Sequence, residues 1–340
     1  MEHVRWGIIG VGDVTESKSG PGFQRAERSS LVAVMRRNAE AAADYARRHD
    51  VPRWYDDADE LIADSEVDAV YVATPPDSHR DYAIRVLRAG KPVYVEKPMA
   101  RTAAECRQMI DVSEQTGLPL FVAYYRRAMP RFVTVGELIN DGAIGTAQAI
   151  TIRNQRPATP PEGELPWRVQ PQISGGGHFV DLASHTLDLV DHLFGPITEV
   201  SGEAARRAAV VEAEQPPAED LVSLAFRLKS GICGTGLWCY AAGESLDQVE
   251  IIGSAGSLTF SCFGQEPLRL RTDSGEELIS APYPEVVQQP LIQLVVDELT
   301  GHGSAPSTGA SALRTAQVID TVLAGYRREH GISFDPDPTR

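Results

Sequence analysis

Short apolar runs at 5–9, 31–35, 69–73, 92–95 and 120–123 read as strands. Stretches of helical composition lie between or beside them at 39–49, 78–89 and 102–116, and Gly90 and Gly117 stop the last two. Such alternation predicts a parallel sheet with both faces buried, a doubly wound α/β domain over residues 1–123. Beyond Tyr124 the period changes to two, at 147–153, 221–228, 232–240, 248–252, 257–261 and 268–272. These runs predict a mostly antiparallel sheet in an α+β domain over 124–340. That domain also holds a Pro-rich loop at 156–171, a strong helix at 178–194 and a last amphipathic helix at about 310–328. Alternating strands imply a sheet with one face left without helices. An apolar face of that size favours a homodimer or homotetramer through this sheet.

The length of 340 residues agrees with two cores. A net charge of -15, with no basic run flanked by aromatics, argues against nucleic acid as a partner. Cys106, Cys233, Cys239 and Cys262 form neither a CxxC pair nor a zinc spacing, and read as reduced packing residues. The first apolar run is broken by glycine after four residues, and no later segment reaches membrane-spanning length. A soluble cytoplasmic protein without a membrane partner is expected. His178, Asp181, His185, Asp188 and His192 recur at helical spacings, yet His192 lies nearly two turns beyond His185, and no metal is expected.

Gly10-Val11-Gly12 follows the first strand directly, where glycines permit a tight turn and let backbone N–H groups approach a pyrophosphate. Asp13, Val14 and Thr15 complete the expected dinucleotide-binding turn, with Thr15 in the place of the usual third glycine. At the end of the second strand, Arg36 and Arg37 stand where an NAD enzyme carries an acid. Their guanidiniums suit a 2′-phosphate, which predicts NADP, with NAD as the alternative. Thr74 and Pro75 form a rigid turn at the carboxyl edge of the sheet, also toward the cofactor. His79 follows as an expected surface residue of the next helix's first turn, near the cofactor and not catalytic.

The fourth strand ends in Val95-Glu96-Lys97-Pro98-Met99. Together with Gly10 and Gly12, Ala73-Thr74-Pro75, Gly175-Gly176-Gly177 and Asp181-x-x-x-His185 in that order, this turn makes nearly the whole chain resemble the Gfo/Idh/MocA oxidoreductase family. The resemblance implies a Rossmann domain plus a C-terminal α/β domain with an open antiparallel sheet. It also implies hydride transfer between nicotinamide and a sugar, a polyol or a related carbonyl compound. By resemblance, Lys97 binds substrate and nicotinamide ribose, Asp181 orients substrate, His185 is the acid/base, and Trp167 and Arg168 close over the substrate. Thr15 and the loop over 13–21 depart from the family pattern, and Lys18 adds charge there.

The residues themselves agree. Positions 181 and 185 lie one helical turn apart on one face, and histidine titrates near neutrality, as a base accepting a hydroxyl proton must. The Lys97 charge stabilises a developing alkoxide and favours neutral His185. Glu96 is read as fixing the turn beside the cofactor. Tyr124 and Arg127 either line the substrate site or tie the two domains together. Two other functions stay open: a non-enzymatic nucleotide-binding sensor, and an enzyme that keeps its nicotinamide as an internal redox catalyst.

Overall fold

The computed structural model describes residues 1–158, 165–208 and 216–334, so part of the Pro-rich loop expected at 156–171 lies outside the described residues. Strands β1 (Val4–Ile9), β2 (Ser29–Met35), β3 (Arg53–Tyr55), β4 (Ala69–Val72), β5 (Val93–Val95) and β6 (Leu120–Val122) form one sheet in the order β3-β2-β1-β4-β5-β6. Every pairing in it is parallel. All residues of β4, β5 and β6 are buried, which is why these strands read as unbroken apolar runs. The edge strand β3 escaped the sequence reading because it is three residues long and leaves Trp54 45% exposed.

Helix ends follow local chemistry. Asn38 accepts a hydrogen bond from the Ala41 N–H at 2.9 Å to start Ala39–Arg48. Thr102 does the same for Ala103–Thr116, which stops at Gly117 with φ +68.

The second sheet contains β7 (Ala147–Gln155), β8 (Ile197–Ala205), β9 (Leu221–Leu228), β10 (Cys233–Cys239), β11 (Leu246–Gly253), β12 (Gly256–Phe260), β13 (Leu268–Thr272) and β14 (Gly275–Ile279). Its order is β14-β13-β12-β11-β7-β10-β9-β8, antiparallel except between β7 and β10. Along β9, Val222, Leu224, Phe226 and Leu228 are buried while Ser223, Ala225 and Arg227 face out. One face is therefore uncovered, as the alternation predicts, but its outward positions on β9 are small and polar. Burial of the other face alone accounts for the period of two, so the expected broad apolar face is not required.

The chain groups into two compact units. The first joins Met1–Met129 to Pro284–Leu313, and the second joins Pro130–Tyr283 to 314–334. In the first unit, Leu291, Ile292, Val295 and Val296 of the Gln289–Thr300 helix share a core with Trp6, Phe23 and Tyr94. The last helix, Gly309–Glu329, matches the expected one. Among the described residues, no helix is long and apolar enough to cross a membrane.

Candidate functional site

In the first unit, Gly10 has φ +94, and a Cβ there would fall 2.6 Å from the Thr74 methyl and 2.9 Å from its backbone nitrogen. Only glycine lets the first turn approach the Thr74-Pro75 turn this closely. A Cβ on Gly12 would meet nothing within 4 Å, so the turn has open space beside it. The Gly12 N–H donates to the Thr15 hydroxyl at 2.9 Å, and that hydroxyl lies 2.8 Å from the Gly12 carbonyl.

Thr15 is fully buried and closes its own turn. The close packing usually assigned to a third glycine moves to Gly20, where a Cβ would lie 2.2 Å from the Thr15 carbonyl and 2.4 Å from the Tyr45 hydroxyl. In place of one continuous helix, a short Asp13–Ser17 helix is followed by Gly20–Arg25. Asp13 and Lys18 are exposed and Val14 is half-buried. Arg36 and Arg37 are exposed at the carboxyl end of β2, whose Met35 carbonyl accepts from the N–H groups of Gly10 and Val11. The open space beside Gly12 and the exposed guanidiniums after β2 leave room for a dinucleotide at this turn.

His79 is not the surface residue that its sequence position suggests. It is fully buried, with Nε2 2.6 Å from the Thr74 carbonyl and Nδ1 3.0 Å from the Pro98 carbonyl. Burial lowers its pKa, opposed by those carbonyls and by the Glu96 charge. Pro76 begins a short 3-10 turn ahead of the His79–Arg88 helix, and the Ser78 hydroxyl turns back to Thr74 at 2.8 Å without capping.

Glu96 is buried just after β5 and is met by three donors. The Tyr71 hydroxyl reaches Oε1 at 2.5 Å, the Gln288 amide reaches Oε1 at 2.7 Å, and the Lys97 N–H reaches Oε2 at 3.0 Å. Glu96 therefore supports the turn, and the half-buried Lys97 projects from a backbone it holds. Burial and the Glu96 charge raise the Tyr71 hydroxyl well above the usual tyrosine range, so it stays a donor. Tyr124 and Arg127 are both buried, and Arg127 donates to the Pro306 carbonyl at 2.9 Å within this unit.

In the second unit, sequence alone reads one helix over 178–194. The structure instead makes Phe179–Ala183 a single π-helical turn ahead of the α-helix Ser184–Phe194. Ser184 donates its hydroxyl to the Asp181 carbonyl at 3.1 Å, serving a carbonyl at the junction. Such insertions are frequent at functional sites.

Asp181 is half-buried and lies 3.6 Å from Arg168 Nε, whose guanidinium stacks 4.4 Å over Trp167. His185 is buried, with its ring edge-on to Phe263 at 6.1 Å. His178 packs on Tyr240 at 5.3 Å, and burial lowers its pKa while Asp181 opposes. The structure thus gathers Trp167, Arg168, Asp181 and His185 in the second unit, while Lys97 and the cofactor-turn residues belong to the first.

Glu219 was not singled out from sequence. It is buried, and its Oε1 accepts from the Gly177 N–H at 2.7 Å. A Cβ on Gly177 would fall 2.4 Å from the Glu219 carbonyl, so the triple glycine is needed where the chain passes this residue. Burial raises the carboxyl to about 7. Gln288 was missed too, and nothing local marks either residue.

The oxidoreductase family with an NAD-binding Rossmann fold matches residues 4–124, and the GFO/IDH/MocA C-terminal domain matches residues 132–259. Oxidoreductase P35 of Formosa agariphila is 35% identical over 320 residues, covering 93% of this chain and 97% of its own. Inositol 2-dehydrogenase of Rhizobium meliloti is 28% identical over 310 residues, covering 90% of each chain. Among solved structures, levoglucosan dehydrogenase in complex with NADH and levoglucosan superimposes with a TM-score of 0.84 at 23% identity, covering 96% of this chain and 98% of its own. This last likeness speaks to the fold alone.

The raised Glu219 pKa carries a stability cost with a defined sign. Below about pH 4.5 the carboxyl is protonated whether the chain is folded or not. As pH rises from there to about 7 the unfolded chain releases the proton first, so stability falls, then levels off. A Glu219→Gln substitution keeps the oxygen that accepts from Gly177 and removes this loss. Urea midpoints measured at several pH values should show the variant gaining up to about 3 kcal/mol over the parent above neutrality, and little below about pH 4.5. Equal pH dependence in the two proteins would show that Glu219 ionises as freely when folded as when unfolded.

Proposed function

The chain belongs to the Gfo/Idh/MocA family of oxidoreductases, and from that membership we propose an NADP-dependent enzyme acting on the hydroxyl/carbonyl pair of a sugar, polyol or related compound. Among its relatives are proteins named for inositol and for 1,5-anhydro-D-fructose. The observation that carries the reading is the Glu96-Lys97-Pro98 turn, whose buried carboxylate is tied to Tyr71 and Gln288.

Bound nicotinamide supplies or accepts the hydride. The chain's own residues handle binding and the proton. Gly10, Gly12, Asp13, Val14 and Thr15 would receive the pyrophosphate, and Thr74, Pro75, His79 and Glu96 would shape the carboxyl edge beside it. In the oxidation direction His185 takes the substrate hydroxyl proton, and Lys97 donates to the same oxygen as negative charge develops on it. Asp181 orients the substrate, and Trp167 and Arg168 close over it. Tyr124 and Arg127, being buried, act from behind these contacts. In reduction the same groups work in reverse, with His185 returning the proton.

The uncovered face of the second sheet supports a homo-oligomer, although its small and polar outward residues call for a hydrogen-bonded contact rather than an oily one. Sedimentation velocity at micromolar concentration is expected to show a species larger than one chain, and a monomer alone would contradict this.

Arg36 and Arg37 carry the preference for NADP, since their exposed guanidiniums offer forked donors to a 2′-phosphate. NADPH should bind about tenfold or more tightly than NADH, and Arg36→Asp should remove that advantage when both affinities are titrated. A parent protein that binds NADH as tightly as NADPH would refute the assignment.

Replacing His185 with Asn should leave NADPH affinity nearly intact and lower kcat by roughly 10²- to 10⁴-fold, the usual contribution of a positioned acid/base. Steady-state turnover across pH tests this. Near-parental turnover with an unchanged pH profile would assign the proton to another group.

A further inference from the structure

Within the second unit, Arg156 is displayed in a way that the oxidoreductase reading leaves unused. It follows β7, and its backbone is tied on both sides, donating to the Cys239 carbonyl at 2.9 Å and accepting from the Ala242 N–H at 3.1 Å. Its side chain is exposed, with the guanidinium 5.7 Å over the ring of Phe263. The same ring meets His185 at 6.1 Å.

Phe263 is itself held firmly. Its N–H donates to Asp247 Oδ2 at 2.6 Å, Ser261 also donates to that carboxylate, and the Gly264 N–H donates to the Ser261 hydroxyl at 2.5 Å. A fixed aromatic ring thus meets both the candidate base and an exposed cation.

The electrostatics favour an anion at this place. Among the described residues, Arg156 has no carboxylate within ion-pair distance. Arg168 is met by Asp181 only at 3.6 Å. Both arginines push down the pKa of the half-buried His178, so their positive field reaches the surroundings of Asp181. Arg206, the third cation acting on His178, is already answered by Asp220 at 3.4 Å. A chain with a net charge of -15 repels anions overall, and Arg156, set against the same ring as the candidate base, reverses that sign locally. Planar guanidinium stacked on an aromatic ring keeps its edge donors free for a carboxylate or phosphate.

We propose that the substrate is an anionic sugar, bearing a carboxylate or a phosphate ester, whose charged group is received by Arg156 with Arg168 beside it while its reacting carbon faces His185. This rests on the oxidoreductase reading above. The charged group changes no bonds. In oxidation the electron pair and hydrogen of the C–H bond pass as hydride to nicotinamide, and the O–H proton passes to His185.

The test uses the full chain with NADP and NAD and matched sets of sugars: a neutral aldose, its uronate and its 6-phosphate. In at least one set, an anionic member should exceed its neutral parent by about tenfold or more in kcat/KM. Added salt should shrink the advantage, and which member wins identifies the anion. Arg156→Gln should bring the ratio close to one, mainly through KM of the anionic sugar, and Arg156→Lys should restore part of it. Turnover of neutral sugars with anionic ones at or below the same kcat/KM overturns this inference and leaves the oxidoreductase reading standing. A preference undiminished in Arg156→Gln also overturns it. Turnover of no sugar of either kind overturns this inference, and failure of polyols and related carbonyl compounds as well overturns the oxidoreductase reading.

Discussion

The carboxylate of Glu96 sets the position on which the first unit's chemistry depends. It is buried behind the carboxyl edge of the parallel sheet, where an ionised group needs partners on its oxygens. Those partners come from three separate places: Tyr71 on the neighbouring strand, Gln288 at the start of a helix far along the chain, and the backbone of Lys97. Leaving a buried acceptor without one of them costs about 1–3 kcal/mol, and more where the acceptor is charged. The turn is therefore over-determined, and Lys97 inherits its position from its neighbour's side chain. The His79 ring lies against the carbonyls of both Pro98 and Thr74, and the Thr74 methyl abuts Gly10. Glycine turn, threonine turn and lysine turn thus form one connected set of contacts.

The second unit treats its buried carboxylate differently. Glu219 receives the Gly177 backbone N–H and, among the described residues, no comparable set of side-chain donors, so burial prevails and its proton is held to about pH 7. The residue fills the space the triple glycine leaves, which fixes how the chain enters the π-helical turn that carries Asp181. Packing, not charge, is what Glu219 contributes to this entry.

Features written in neighbouring residues were legible in the sequence. Apolar runs gave the central strands, Gly117 gave a helix end, and the ordered motifs gave the family. What escaped depends on partners distant along the chain. Gln288 meets Glu96 across 192 residues, and no local pattern marks a glutamine for that task. His79 looked exposed because its neighbours Asp77 and Ser78 are polar, yet two turns fold over it. Thr15 looked like a defect in the glycine fingerprint until Gly20 was seen to take over the close approach. The π-helical turn was invisible because the residue spacing of 178–194 suits an ordinary helix, and only hydrogen bonding distinguishes the two.

The discontinuity of the first unit bears on how the protein is made. Its sheet is fully translated by Val122, but Gln288 and the apolar face of the Gln289–Thr300 helix emerge only after the whole second sheet. During synthesis the Glu96 carboxylate must wait, lacking one donor, while more than a hundred further residues leave the ribosome. The nucleotide-binding unit thus reaches its finished form only after the second sheet has been made, and an isolated fragment ending at Met129 would carry the glycine turns without the helix that completes their support.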